Sequence, residues 1–326
     1  MQNLKVLLIA VAILSSNLIH SQQSIVFEKT YRTETTDTVI MALTGAQTSD
    51  GGYLLGGYAA YGMYLSQMMF FKIDSVGNYQ WKRMYGSLPC SSNMIHDMEP
   101  VGDGTFICCG EGTFSTEGEP GDLKPTNSMI MRVDENANIL WHKEFDAGWH
   151  ECLYELALSD TGYMCVGYKE DYDKAPGHFL WINGDIEGNF SKLSTLDMGL
   201  GWQHATSSTS LPNNQFALGG LADSKSVILT IDSYGDTIQS IVLGSGYPEM
   251  IGIQDVDFTN ELLFCGGYKS DIHEYGVNAY FSSCDLDFQN IESTFYEHEN
   301  EMKDSYSQKI VVENDGSFLI IGIMRT

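Results

Sequence analysis

The chain of 326 residues carries 43 acidic against 17 basic side chains, a formal net charge of −26, and is 43% hydrophobic and 12% aromatic. That apolar content excludes a disordered chain and suits packed sheets. The charge excludes nucleic acid and anionic membranes as partners, because both would repel it.

The first residues read as an address. Met1 to Lys5 supplies a short positive stretch, Val6 to Leu18 is almost wholly apolar, and His20-Ser21-Gln22 forms a polar exit. The apolar run is short for a membrane span and no stop-transfer pattern follows it, so residues 1–21 are expected to be a signal peptide cleaved after Ser21. The expected product is one repeat domain over 22–326, secreted or at the cell surface. It would have no lipid-anchored N-terminus and no integral membrane segment after signal removal.

Next comes Ser24-Ile-Val-Phe27-Glu-Lys-Thr-Tyr31, which looks like Tyr79 to Tyr85 and Ile139 to Phe145 further on. A repeated phrase then begins. Asp50-Gly-Gly-Tyr-Leu-Leu-Gly-Gly57 is followed by Phe70-Phe-Lys-Ile-Asp74-Ser-Val-Gly-Asn78 and Tyr79-Gln-Trp81; Gly102 to Gly110, Met131 to Asn138 and Ile139-Leu-Trp141 repeat it. Strands closing on Gly57, Gly110, Gly167, Gly220, Gly267 and Gly322 recur at steps of 53, 57, 53, 47 and 55 residues. A period in that range with several short strands per unit is the signature of a propeller or a similar array.

The third repeat predicts a four-stranded blade: Cys152 to Leu158, Tyr163 to Gly167, Phe179 to Ile182 and Phe190 to Leu193, with a loop over Lys169 to Gly177. Asp-Gly and Asn-Asn between the first two strands suit the positive φ that hairpins need. Asp74, Asp134, Asp185, Asp232 and Asp285 open the last turn of their blades, where a carboxylate bonds amides two residues on. The same aspartates are open to a metal-ligand reading, but turn chemistry accounts for them. The expected fold is therefore all-β, a β-propeller of about six four-stranded blades. Its last blade is incomplete, because Phe318 to Gly322 is a second strand with no third. Two explanations stay open at this point: a chain continuing past Thr326, or an imperfect six-bladed ring.

Seven cysteines in an exported protein invite disulfides. Cys108, Cys165 and Cys265 instead share the slot of Leu55, Leu218 and Ile320, and Cys284 that of Ile73, Val133 and Ile231, where cysteine acts as a small hydrophobe. Cys90 and Cys152 lie near the connections between repeats, and a Cys90–Cys152 bridge is the one pairing to test.

These blades, Asp-Gly-Gly-Tyr…Gly followed by Lys-x-Asp-x-x-Gly-Asn…Trp, resemble the secreted propeller-like repeat proteins of Bacteroidota. The first two repeats carry the likeness best; Lys192, Gln239 and Glu292 stand in the slot of Trp81 and Trp141. The resemblance implies a fold and an exported address, not a shared activity. No C-terminal sorting domain of the kind such proteins carry is recognised here.

Function is expected in loops on the rigid frame. Connections between blades, and those between second and third strands, emerge on one face of a propeller. Glu111, Glu117, Glu119 and Asp122 lie in one such loop and Glu170, Asp171 and Asp173 in another. Glu117, Glu119, Asp122, Asp171 and Asp173 are candidate oxygen ligands for Ca²⁺, although their spacing matches no known calcium loop; no cofactor is required. Trp149-His150-Glu151 aligns with Trp202-Gln203-His204, which places Trp149, His150, Glu151, Trp202 and His204 at the mouth of the channel. The alternatives for the Trp and His residues are packing between blades and a ligand surface. Phosphate loops, nucleophile elbows and zinc-helix motifs are absent. The reading is an exported, monomeric, non-enzymatic binding or scaffold module that engages a protein or glycan through the loop face. The alternative is an exported polysaccharide hydrolase or lyase, which needs two carboxyls about 5 to 9 Å apart.

Overall fold

Alternating apolar strands broken by tight turns form small antiparallel sheets, and both faces of those sheets are apolar enough to need cover. The computed structural model describes residues 29, 31, 39–61, 66–86, 92–112, 126–171, 174–199, 201–244, 249–271, 277–296, 305–312 and 318–324. Residues 1–21, expected to be a signal peptide, lie outside the described residues, as do Cys90, Glu117, Glu119, Asp122 and Asp173.

The first sheet is β1 (Val39–Gln47), β2 (Tyr53–Ala60), β3 (Ser66–Ile73) and β4 (Tyr79–Tyr85). The second is β5 (Met94–Pro100), β6 (Thr105–Gly112), β7 (Asn127–Asp134) and β8 (Ile139–Phe145). The third is β9 (His150–Ser159), β10 (Gly162–Asp171), β11 (Lys174–Gly184) and β12 (Phe190–Leu196). The fourth is β13 (Gln203–Leu211), β14 (Gln215–Ala222), β15 (Lys225–Ile231) and β16 (Thr237–Leu243). The fifth is β17 (Glu249–Thr259), β18 (Leu262–Asp271), β19 (Val277–Asp285) and β20 (Glu292–Tyr296); β21 (Ser305–Val312) and β22 (Phe318–Met324) pair alone. Each is an up-and-down meander, and the first strands of successive sheets are neighbours. The architecture is all-β and propeller-like. No helix among the described residues is long and apolar enough to cross a membrane.

The core lies between sheets. Leu54, Met68 and Phe70 of the first sheet pack on Ile95, Met98, Phe106 and Met131 of the second. Cys109 and Ile130 of the second face Leu153, Cys165 and Leu180 of the third. The same layering joins the third to the fourth and the fourth to the fifth. Burial on both faces explains why a third strand such as Met68-Met69-Phe70-Phe71 is continuously apolar rather than alternating. Cys108, Cys152, Cys165, Cys265 and Cys284 are free and buried, as the hydrophobic slots predict for all but Cys152.

The recurring glycines do not end their strands. Each second strand runs past its glycine, to Ala60, Gly112, Asp171, Ala222, Asp271 and Met324. Opposite each glycine the first strand carries a bulge, with Leu43, His96, Tyr154, Thr206, Gln254 and Gln308 left out of register. The bulge pushes a carbonyl onto the glycine. An added Cβ would stand 2.0 Å from the Met94 carbonyl oxygen at Gly110 and 1.8 Å from that of Cys152 at Gly167. Close backbone approach, not positive φ, is what requires glycine here. The expected loop over Lys169 to Gly177 is strand at its described residues, with Asp171 paired to Lys174.

The residue after each bulge forms a polar belt around the axis. Thr44 Oγ1 donates to Asp97 Oδ1 (3.1 Å), and the Leu156 amide donates to Asp97 Oδ2 (3.0 Å). Ser207 Oγ donates to Asp255 Oδ1 (2.9 Å) and accepts the Val256 amide (2.8 Å). Asp255 Oδ2 accepts the Ile310 amide (2.6 Å). Lys309 Nζ reaches Glu155 Oε1 of the third sheet (2.5 Å) and Asp255 Oδ1 of the fifth (3.3 Å). The two-stranded pair is thereby tied across the axis to the third sheet. Burial raises the Glu155 carboxyl to about 8, and burial together with Asp97 raises Glu99 to about 7.

The turn aspartates act as turn formers. Asp74 Oδ1 accepts the Val76 and Asn78 amides at 3.0 and 2.7 Å, and Asp134, Asp185 and Asp232 repeat the pattern. In the slot shared by Trp141 and Gln239, the indole donates to the Ile186 carbonyl (3.2 Å) and the amide donates to Leu286. Gln replaces Trp there because both put an N–H donor on the next sheet's turn. Tyr85 Oη donates to Ala137 O at 2.6 Å; Tyr31 Oη makes the same bond to Gly77 O at 2.6 Å, and Lys29 Nζ bonds Asn78 Oδ1 (2.5 Å). Residues 29 and 31 thus touch the first sheet as a preceding fourth strand would.

Candidate functional site

The bulges also aim side chains into the interior at the loop-face end of the second and third sheets. Bulge residues His96 and Tyr154 stand edge to face, with centroids 5.3 Å apart. Tyr154 stacks on Tyr168 of β10 (5.7 Å, 28°), and Tyr168 meets Trp202 ahead of β13 (5.6 Å, 46°). His204 lies against Tyr154 at 6.4 Å and His150 against Tyr168 at 6.2 Å. The rings form a continuous ladder from the axis to Trp202, which is 43% exposed; Trp149, on the same face, is 42% exposed.

Beneath the ladder, one ring nitrogen of His96, a carboxylate oxygen of Glu111 and Cys152 Sγ all lie within 4.8 Å of one another. Glu111 and Cys152 are buried. Ser92 Oγ donates to Glu111 Oε1 at 2.9 Å and orients that carboxylate. His96 Nε2 and His204 Nδ1 are buried with no hydrogen-bond partner among the described residues. Burial lowers His96 to about 4 and also lowers His204, so both imidazoles are neutral at pH 7. Burial raises Glu111, opposed by the Ser92 hydrogen bond, and pushes the Cys152 thiol well up.

The residues expected at the channel mouth separate into two groups. Trp149, Trp202, His150 and His204 all lie at this end, with His150 Nδ1 bonded to Thr126 Oγ1. Glu151 instead is fully buried, its Oε1 accepting the Ala147 amide at 2.9 Å, which closes the 146–149 turn. Burial raises its carboxyl to about 7. Of the carboxylates considered for Ca²⁺, Asp171 is taken up by Lys169 Nζ (3.2 Å) and lies 3.9 Å from His178. Asp197 Oδ2 stands 3.8 Å from the other ring nitrogen of the same His178, so Asp171 and Asp197 flank one imidazole whose neighbour, Gly177, lies beside Trp202.

Sequence reasoning missed His96, Tyr154 and Tyr168, placed Glu111 in an acidic loop and put Cys152 at the start of a first strand, near a connection between repeats. A signal did exist. The slot of Glu111 holds Tyr58, Tyr168, Leu221 and Tyr268 in other sheets, and the slot of Cys152 holds Met41, Met94, His204 and Gly252. Neither a carboxylate nor a thiol is needed by the fold at those places.

No protein-family model matches the chain, and no curated protein matches it. Among solved structures it is similar to a gluconolactonase from Xanthomonas campestris (10% identity, 68% of this chain and 67% of that one, TM-score 0.36). It is similar also to an α-L-arabinofuranosidase from Lactobacillus brevis (10%, 84% and 91%, TM-score 0.42). A third is prolyl oligopeptidase B from Galerina marginata (10%, 85% and 40%, TM-score 0.46). At such scores none of them carries an argument about what this chain does.

Proposed function

We propose that the protein is an exported, non-enzymatic binding module that takes a glycan on the loop face of its second to fourth sheets. The observation that carries this is the ring ladder ending in exposed Trp202, with exposed Trp149 on the same face. Stacked, rigid aromatics give a large contact area at low entropic cost and leave a face for a sugar ring. Catalysis needs titratable groups converging on a reacting atom. The glutamate nearest to Trp149 in sequence has its carboxylate turned inward to hold a turn. Export rests on the leader-like residues 1–21, and a net charge of −26 suits a soluble, monomeric surface protein.

We also take β21 and β22 as a sixth, incomplete blade. The cross-axis bonds of Lys309 and the fourth-strand-like contacts of Lys29 and Tyr31 support this.

The test is calorimetric titration of the wild type and the Trp149→Ala/Trp202→Ala double variant with a panel of soluble glycans, with folding checked by circular dichroism. The double variant should bind at least about tenfold more weakly, as loss of a central tryptophan anchor does. Undiminished binding would place the site elsewhere. Retention of outer-surface proteins but of no glycan would make the ligand a protein. Glycan turnover abolished by Glu151→Gln would overturn the non-enzymatic reading.

A further inference from the structure

We propose that His96, Glu111 and Cys152 form a binding site for a zinc-class divalent cation, pinning the second sheet to the third beneath the aromatic ladder. The three donor atoms lie within 4.8 Å of one another; a tetrahedral shell with bonds of about 2.0 to 2.3 Å sets its donors roughly 3.5 Å apart, so the side chains would close in slightly around the ion. They come from three strands: β5 at its bulge, β6 one residue past Gly110, and β9 opposite Tyr168. A bulge that re-aims a side chain is how a strand delivers a ligand off its regular face. Here it delivers the only histidine among the six bulge residues.

The donor set selects the metal. One imidazole nitrogen, one thiolate sulfur and one carboxylate oxygen form a borderline-soft group that favours zinc over calcium or magnesium, which take oxygen ligands. Thiolate and carboxylate together bring two negative charges, which balance a divalent cation in a buried place, and binding releases the thiol proton. Three protein ligands leave one tetrahedral position for water or a small anion.

Two further features point to a ligand. His96 Nε2 is buried with no hydrogen-bond partner among the described residues, which costs free energy unless something satisfies it. Ser92 Oγ holds Glu111 Oε1, the outer hydrogen bond that commonly orients a ligating carboxylate. This site differs from the Ca²⁺ loops expected from sequence, and it is independent of the glycan reading because its readout uses no glycan.

The experiment loads chelator-stripped full-length protein with Zn²⁺, and separately with Co²⁺ as a spectroscopic stand-in. One equivalent of Zn²⁺ per chain should survive gel filtration, unaffected by excess Ca²⁺. The Co²⁺ form should show a thiolate-to-cobalt charge-transfer band, and Cys152→Ala should abolish it. Ser92→Ala should weaken Zn²⁺ binding about 10- to 100-fold, the usual effect of losing such an outer hydrogen bond. If the Cys152 variant does not fold, X-ray absorption on the zinc-loaded wild type decides, and it should show one sulfur among nitrogen and oxygen neighbours. Absence of stoichiometric binding, a charge-transfer band that persists in folded Cys152→Ala, or a shell with no sulfur or several would each overturn the proposal.

Discussion

The axial belt and the loop-face cluster grow from the same bulges and sit one residue apart in sequence, yet they treat buried polar groups in opposite ways. Asp97 follows His96, and both are directed inward by one bulge. Asp97 accepts bonds from Thr44 and Leu156, whereas His96 Nε2 has no partner among the described residues. Asp255 accepts bonds from Ser207, Lys309 and Ile310. Buried polar groups that are satisfied within the chain join sheets together; those that are not mark places shaped for something else.

The strongest way to break the comparison removes a bulge, and that of the third sheet puts Tyr154 in the ladder and Glu155 in the belt. Gly167→Ala would force a Cβ to 1.8 Å from the Cys152 carbonyl oxygen. We expect a loss of about 3 kcal/mol or more, at the upper end of overpacking effects, read as a shift in urea midpoint. Gly102→Ala should cost only about 1 kcal/mol, since φ there is +97° with nothing within 4 Å of the added carbon. Equal effects at the two glycines would show that the bulge relaxes easily.

The axis should also announce itself through pH. Burial, then Asp97, raises Glu99 to about 7, above the ordinary value near 4.5. Its contribution to stability is therefore complete below pH 4.5 and lost as pH rises through 7. Over that window the wild type should lose up to about 3 kcal/mol through this residue, and Glu99→Gln should remove that share of the slope. Glu155, raised to about 8, works with the same sign and would remain. Denaturation midpoints at pH 5 and 8 measure the difference, and an unchanged slope in Glu99→Gln would assign the pH dependence to other carboxyls.

Removing a satisfied partner should cost more than removing an unsatisfied one. Lys309→Met strands Asp255, whose side chain is 2% exposed, and Glu155, at 15%. The Lys309 side chain is itself 52% exposed, so water offsets part of the loss. We expect about 2 kcal/mol at pH 9, below the usual cost of breaking a fully buried pair. The loss should shrink at pH 6, where Glu155 keeps its proton. Equal losses at both pH values would show that Glu155 is not the partner that matters.

The smallest effect sharpens the contrast most. His96→Phe, in metal-free protein, should change stability by no more than about 0.5 kcal/mol, or raise it, because a ring with one buried, unsatisfied nitrogen is replaced by a ring with nothing to satisfy. Thermal unfolding reads this directly. A loss beyond about 2 kcal/mol would make His96 a fold residue and remove the distinction between the two regions.

Much of this was legible because it is local. The hairpin and Asp-x-x-Gly-Asn turns depend on φ preferences and carboxylate-to-amide bonds within five residues, so Asp74 and its equivalents could be assigned without knowing their neighbours. Alignment on the glycines set Glu151 on His204, whereas strand pairing sets Cys152 there, one residue further on. It erred where register mattered. The glycines read as strand ends, since nothing in Gly167 itself reveals that the Cys152 carbonyl presses on it from another strand.

Contiguous residues therefore settled the class of fold, the length of the repeat, the turn chemistry and the hydrophobic slots of Cys108, Cys165, Cys265 and Cys284. Period, φ preference and side-chain size are properties of a short stretch of chain. The belt and the His96–Glu111–Cys152 cluster arise only when the sheets are set side by side. Lys309 lies 154 residues from the carboxylate it meets in Glu155, and the three donor atoms come from strands with no shared motif. Distances between such groups are fixed by bulges and by the packing of one sheet on the next, and no stretch of sequence encodes that packing alone.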